Sequence, residues 1–367
     1  MTTGDDPNAP DDVATTSGLE PTTPNGPPAE LIDGGPSTGA VEAVAPARPG
    51  LSTFTIEGRA APGLFVVGWL ATILGGGILV IGFQAPHSVI ASVLILGGLV
   101  LLAIGLVSAA GSQAIERRTR GVTAYTGPSP YLLLAASVAV ASILTAAVGL
   151  VVRVAGGDVG GPLTSVLVLA VIQVTYLGLI RLLVVGTGAL SWAHMGVRGG
   201  TRRIVSDLAW GASFAVPVIA LTLLVATVLA SFVSATPDSP LPATGTTGGL
   251  LLNLLGGAIL VPIGEEMLFR GVATTAWRRV FGLRRAIVQG GLFFAVVHVL
   301  QVGGSSPLEA LSLALVAFVT RIPVALTLGW LFTARESIWA SIGLHSAFNG
   351  ILLVLAEIAL RARPPGG

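Results

Sequence analysis

Residues 251–271 read LLNLLGGAILVPIGEEMLFRG, an apolar run that carries two adjacent carboxylates, Glu265 and Glu266, and a basic Arg270. The run is as long as the ~20 residues a helix needs to cross the hydrocarbon of a bilayer. Two carboxylates at that depth cost several kcal/mol between them on insertion scales. Folding alone gives no reason to keep them, so they mark the first place to look for chemistry.

The composition around this stretch has one solvent in mind. The 367 residues are 53% hydrophobic and only 10% charged, with a mean hydropathy of +0.86, whereas a soluble domain carries about 25% charged residues. The chain therefore reads as a multi-span membrane protein. Its net charge of +1 hides an asymmetry. Residues 1–60 hold nine acids and two arginines, and residues 61–367 hold nine acids and seventeen arginines. There is no cysteine, which excludes disulfides, thiolate metal sites and a cysteine nucleophile. The four histidines are His87, His194, His298 and His345.

Residues 1–60 are rich in Pro, Gly, Thr and acid and almost lack aromatic residues, a composition that cannot bury enough apolar area to offset ordering entropy. They are expected to be a disordered acidic tail. The opening has neither a basic n-region nor an apolar h-region, so it does not read as a signal peptide. From Leu64 onward nine apolar stretches approach spanning length: 64–83, 88–110, 131–152, 163–185, 209–233, 249–269, 286–302, 311–332 and 338–360. Lipid admits only helices or closed barrels, and uninterrupted apolarity without period-two alternation selects helices. The fold class is thus all-α, a polytopic transmembrane helical bundle of eight to nine spans. Its parts are a tail (1–60), a four-span N-terminal extension (61–187), an interfacial amphipathic segment (188–208) and a C-terminal helix core (209–363).

Arginine placement sets the orientation. Arg117, Arg118 and Arg120 follow the second stretch, and Arg198, Arg202 and Arg203 the fourth. Arg278, Arg279, Arg284 and Arg285 follow the sixth, and Arg335 the eighth. All four clusters fall on one side, assigned to the cytoplasm of a cell-membrane protein, with the acidic tail inside too. Arg361 and Arg363 then lie outside, a mild violation. Between the fourth and fifth stretches, SWAHMGVRGGTRRIVSDLAW (191–210) mixes tryptophans and arginines with apolar residues and reads as an interfacial helix. His194 belongs to that water-facing segment and His87 to a loop; neither is given a catalytic role.

The remaining polar residues converge. Glu266 and Arg270 are four apart, as are Phe294 and His298, and His345 and Asn349, so each pair shares a helix face. At 1.5 Å per residue, Glu265 lies ~20 Å from Arg278, His298 ~20 Å from Arg285 and His345 ~15 Å from Arg335. Helices that alternate in direction therefore bring these groups to a similar depth, as a shared site requires. The set lacks an obvious nucleophile for acyl transfer; water activation fits better. A carboxylate in a low-dielectric cavity is a stronger base than in water. A histidine can hold the water or a metal, and His and Asn side chains can donate to an oxyanion.

These residues resemble the motifs of the CPBP family of intramembrane proteases, the type 2 CAAX prenyl proteases or ABI family that includes the Rce1-like endopeptidases. EExxxR is matched by Glu265-Glu266-Met-Leu-Phe-Arg270, FxxxH by Phe294-Ala-Val-Val-His298, and HxxxN by His345-Ser-Ala-Phe-Asn349. The resemblance extends over roughly Arg198 to Leu360. It implies an endopeptidase acting on membrane-associated protein or peptide substrates, with no nucleic-acid partner. It further implies that Glu265 is the general base on a water also held by His298. His345 and Asn349 then stabilise the oxyanion, and Glu266 and Arg270 support the site. The resemblance leaves open a zinc ion on Glu265, His298 and His345. With His345 at the oxyanion, a catalytic zinc would be one short of its usual three protein ligands, so the reading leans to a metal-free mechanism.

Rival readings are weaker. HExxH is absent, AGGDV lacks the first Gly of a GxGD aspartyl motif, and Ser213 lacks the Gly that follows a rhomboid serine. A proton-relaying transporter would show a matching polar pattern in the first four spans, which have none. A non-catalytic scaffold or immunity-type member of the same fold would have no need of the acid, base and oxyanion residues. Arg321 stands apart, mid-span and beside Pro323. It is expected either to meet a substrate carboxylate or Glu309, or to lie in a wet irregular stretch where Pro323 breaks the helix.

Overall fold

The apolar stretches become helices because a backbone in hydrocarbon must satisfy its own N–H and C=O groups. The computed structural model describes residues 54–86, 88–233, 241–300 and 302–362. His87, most of the acidic tail, part of the 234–247 loop and Arg363 fall outside them. Among the described residues there are no strands, and eight helices are long and apolar enough to cross a membrane. The protein is an all-α, multi-pass membrane bundle.

Helices α1 (Pro62–Gln84), α2 (Val89–Thr119), α3 (Pro130–Val154) and α4 (Pro162–Ile180) form the N-terminal part, α4 running on as a π-helical turn, Arg181–Val185. A Pro opens α1, α3 and α4 at the first turn, where its missing N–H has no intrahelical role. Ser88 caps α2 by accepting from Ala91 N at 3.2 Å. Residues 54–60, which composition assigns to the tail, are fastened to this unit. Phe54 packs on Trp69 at 4.4 Å, the Arg59 guanidinium lies 3.6 Å from the Phe65 ring centre, and Ala60 N donates to Glu116 Oε1 at 2.6 Å.

The amphipathic helix α5 (Thr201–Ser213) turns at Phe214 into α6 (Ala215–Ala230). The stretch 247–281 then forms one long helix of changing pitch: α7 (Thr247–Asn253), a π-helical segment Leu254–Leu260, α8 (Val261–Glu266), a second π-helical segment Met267–Thr274, and α9 (Thr275–Phe281). After α10 (Leu283–Val297) come α11 (Pro307–Arg335) and α12 (Ile338–Arg361).

One expectation changes here. The stretch 286–302 is helical only to Val297, so α10 has fifteen residues, about 22 Å at the helical rise, short of the ~30 Å hydrocarbon core. The cause is local. Phe294 O is bonded by the His298 side chain at 2.8 Å, while the His298 backbone N–H reaches it only at 3.4 Å. Turns through Val299 and Leu300 follow. Ending the helix at His298 leaves its imidazole at the helix tip.

The arginine clusters meet at one end of the bundle. Arg198 and Arg278 both bond Glu336, at 2.7 and 3.3 Å, and Arg118 donates to Thr187 O. The side-chain hydrogen bonds from Arg198 and then Arg278 hold the Glu336 carboxyl below the usual carboxylate range. This exposed clasp is therefore kept at neutral pH and lost as pH falls through that lowered value, with little effect on stability. Deeper in, Asp207 on α5 is fully buried and takes two bonds from Arg335, at 3.0 and 2.6 Å.

The contact between α5 and α12 is backbone on backbone. A Cβ on Gly211 would overlap the Ala340 carbonyl oxygen, and one on Gly343 would overlap that of Leu208. Small residues permit this approach, and it fixes the part of α12 that carries His345. Gly343→Ala is expected to lower stability by ~3 kcal/mol, at the upper end of overpacking costs. Gly350→Ala, whose Cβ would make ordinary contact with Ala258, should change the melting temperature little. Thermal unfolding of both variants in detergent checks the pair.

Candidate active site

Three elements deliver the site: the long helix at the junction of α8 with the second π-helical segment, the tip of α10, and the buried half of α12. Glu266 is fully buried and Arg270 is 1% exposed. An isolated charge there would be severely destabilising, so the two are paired: Arg270 Nη1 donates to Glu266 Oε1 at 2.9 Å. Arg270 Nη2 donates to Ala325 O on α11 at 3.1 Å, and the guanidinium lies 4.4 Å from the Phe294 ring centre. Phe294 also packs against both histidines, its ring centre 4.2 Å from His298 and 5.8 Å from His345. The Phe of FxxxH is thus the wall on which the cation and both imidazoles rest.

Glu266 has a second partner that the helix spacing did not disclose. His345 Nδ1 lies 2.8 Å from the same Oε1. A carboxylate only accepts, so Nδ1 carries the proton. His298 Nδ1 is likewise committed, donating to Phe294 O at 2.8 Å. With both Nδ1 atoms tied down, the Nε2 atoms are the working ends. Both approach Oε2 of Glu265, at 3.6 Å from His298 and 3.9 Å from His345. These separations are too long for direct hydrogen bonds and suit groups joined through water. Oε2 is buried and bonds to none of the described residues. The Glu265 and His298 side chains remain 16% and 25% exposed, so the centre can be reached, whereas Glu266 and Arg270 cannot.

The structure therefore brings Glu265, Glu266, Arg270, His298 and His345 together. Asn349 lies one turn beyond His345 on α12, and its Nδ2 donates to Gly257 O in the first π-helical segment at 2.8 Å. One amide hydrogen is spent on that tie and the other is free to point elsewhere. His194 sits at the surface with Ser191 Oγ 3.1 Å from its Nδ1.

Sequence reasoning missed a contribution from α4. Gln173, 5% exposed, presents an unbonded Oε1 to Gly264, so close that a Cβ on Gly264 would overlap it. Tyr176, one turn on, is buried on the same helix. The signal was a lone amide in an otherwise apolar span, the kind of intramembrane polar group that marks function.

Zinc on Glu265, His298 and His345 does not fit this arrangement. Ligands at ~2.0–2.1 Å on a tetrahedral ion stand ~3.3 Å apart, whereas both histidines are farther than that from the same glutamate oxygen. Among the described residues no group of three His, Asp or Glu side chains is placed to hold a metal. No chemical step is drawn through one.

A buried ion pair thus braces two inward imidazoles beside an accessible carboxylate in the core of a polytopic membrane protein. Residues 247–351 match the family model described as type II CAAX prenyl endopeptidase Rce1-like. The match contains all three motifs and is narrower than the resemblance over 198–360; α1 to α6 lie outside it. No curated protein and no solved structure matches the chain.

Proposed function

We propose that the protein is an intramembrane endopeptidase that hydrolyses membrane-associated protein substrates with a water activated by Glu265. The observation that carries this reading is the convergence of two imidazole Nε2 atoms on one buried, unbonded carboxylate oxygen, with both Nδ1 atoms already engaged. A water between Glu265 and His298 gives its proton to Glu265 while its oxygen attacks the scissile carbonyl carbon. The carbonyl oxygen takes the negative charge and meets donors at Nε2 of His345 and the free amide hydrogen of Asn349. With Nδ1 already donating to Glu266, a proton on Nε2 makes His345 an imidazolium, and Glu266 is its counter-ion. Collapse of the tetrahedral intermediate breaks the C–N bond, Glu265 returns its proton to the leaving amine, and a new carboxylate and amine are released.

The family description supplies the first substrate class to test, a prenylated protein ending in a CAAX sequence. The arginine-lined end of the bundle is proposed to face the cytoplasm of a cell-membrane protein. A prenylated CAAX peptide incubated with the purified protein in lipid nanodiscs should be cut, with products read by mass spectrometry. His298→Ala should lower the rate by ~10²–10⁴-fold, the range for a group that positions and assists proton transfer. Full activity of His298→Ala would contradict the mechanism.

The same preparation tests the metal question. Activity should survive exhaustive chelation, in protein whose elemental analysis finds less than one metal per chain. Loss on chelation, restored by added zinc, would overturn the metal-free reading.

A further inference from the structure

Several arginines are already committed to partners. Arg198 and Arg278 share Glu336, Arg203 and Arg335 share Asp207, and Arg120 pairs with Glu116. The mid-span Arg321 donates to Ala317 O at 2.9 Å within α11, which runs unbroken from Pro307 to Arg335. The wet break that the sequence allowed at Pro323 therefore does not form, and Glu309 accepts from Ser305 N at 2.7 Å. Arg284 and Arg285 differ. Both are exposed, and among the described residues neither forms an ion pair.

Their place in the fold adds to the imbalance. They stand in the first turn of α10, where the helix dipole repels a cation and no acidic residue offsets it. The first turn of α3 also lacks an acid and is tied to α10 there, Gln289 Nε2 donating to Tyr131 Oη at 2.9 Å. Two arginines and two helix N-termini thus meet at one spot, and no carboxylate lines it.

From this spot a groove of ≈ 580 Å³ follows α10, within the about 300–1,000 Å³ of small-molecule sites. Its side is apolar. Val288, Leu292 and Val296 recur every four residues on one helix face and are 51%, 42% and 43% exposed. Its floor is Phe293, whose ring centre lies 4.9 Å from that of Tyr131 and 5.4 Å from that of Trp277, a packing that holds the groove in shape. Arg284 and Val296 are twelve residues apart, ~18 Å along the helix. A ligand that fits the whole length is anionic at one end and hydrocarbon for the rest.

We propose that this groove binds one anionic phospholipid, with its phosphate on Arg284 and Arg285 and an acyl chain laid along Val288, Leu292 and Val296. Charge complementarity selects this occupant. Basic pockets between membrane helices bind phosphate head groups, and guanidinium forks match phosphate oxygens. A neutral chain would leave both arginines and both helix ends without a counter-charge, and a free phosphate would make no use of the apolar face. The site does not depend on the hydrolysis proposed above.

The test mixes the full-length protein in detergent with equimolar phosphatidylglycerol and phosphatidylcholine of the same acyl chains and counts retained lipid by native mass spectrometry. Wild type should keep one phosphatidylglycerol per chain with about 25-fold preference, a factor of about five for each arginine. In the double variant Arg284→Gln, Arg285→Gln the preference should fall to near one, with the melting temperature in lipid-free detergent unchanged. Leu292→Trp, which fills the apolar part, should weaken retention with both charges in place. Equal retention of the two lipids by wild type would show an annular layer only and overturn the site. A preference that survives in the double variant would overturn it too, as would one lost equally in Arg202→Gln, an exposed arginine outside the groove. Retention unaffected by Leu292→Trp would place the acyl chain elsewhere, and displacement of the lipid by glycerol phosphate would reassign the arginines to a soluble phosphate; either result overturns the proposal.

Discussion

Glu265→Gln is expected to lower the proposed peptide hydrolysis by ~10²–10⁴-fold or more and to leave the melting temperature in detergent almost unchanged. The amide keeps the shape of the side chain and loses only its basicity. Because Glu265 Oε2 bonds to none of the described residues, neutralising it removes no hydrogen bond on which the fold depends. That oxygen is already buried without a hydrogen-bond partner, so the amide adds no unpaired group that the wild type lacks. Activity and stability are therefore expected to separate at this position. A Glu265→Gln protein that is fully active would remove the base from the mechanism.

At the neighbouring position they do not separate. Glu266→Ala should destabilise the protein by ~3–5 kcal/mol, the cost of leaving a buried charge without its partner. Arg270 would be stranded at 1% exposure, and His345 would lose the acceptor that fixes its ring. Activity falls as well, through the loosened imidazole. Glu266→Leu combined with Arg270→Met replaces the pair by apolar groups of similar size and should recover much of the stability but not the hydrolysis, since the anchor for His345 is still missing. Denaturation midpoints and peptide cleavage, measured on the same four proteins, check the contrast. Equal stability of Glu266→Ala and wild type would show that the buried pair is dispensable.

The apolar runs made the helical bundle legible, because length and hydropathy are the quantities a bilayer selects for. The i,i+4 spacings likewise announced that Glu266 and Arg270 pair. They could not announce that His345 shares the same carboxylate oxygen, since that contact joins residues 79 positions apart and depends on how α12 is rotated. That rotation is fixed by Gly211 and Gly343, whose role is visible only once Leu208 and Ala340 are seen pressed against them. The changes of pitch at Leu254–Leu260 and Met267–Thr274 were hidden for a similar reason. A π-helical turn shifts a side chain around the axis without altering composition, and such turns cluster at functional sites. The shortened α10 was concealed by apolar residues 299, 300 and 302, which hydropathy counts as span and the His298 side chain converts to a turn. Gln173 was legible in principle, as a lone amide in an apolar span, but no spacing tied it to Glu265. Fold class thus follows from solvent preference, whereas the site depends on long-range packing.

The most direct test compares cells carrying the wild-type gene with cells carrying Glu265→Gln at equal protein level, by mass spectrometry of membrane-protein termini. Termini present with wild type and missing with Glu265→Gln are the predicted result, and they name the substrate. Identical sets of termini would contradict the claim that Glu265 drives peptide-bond hydrolysis in the membrane.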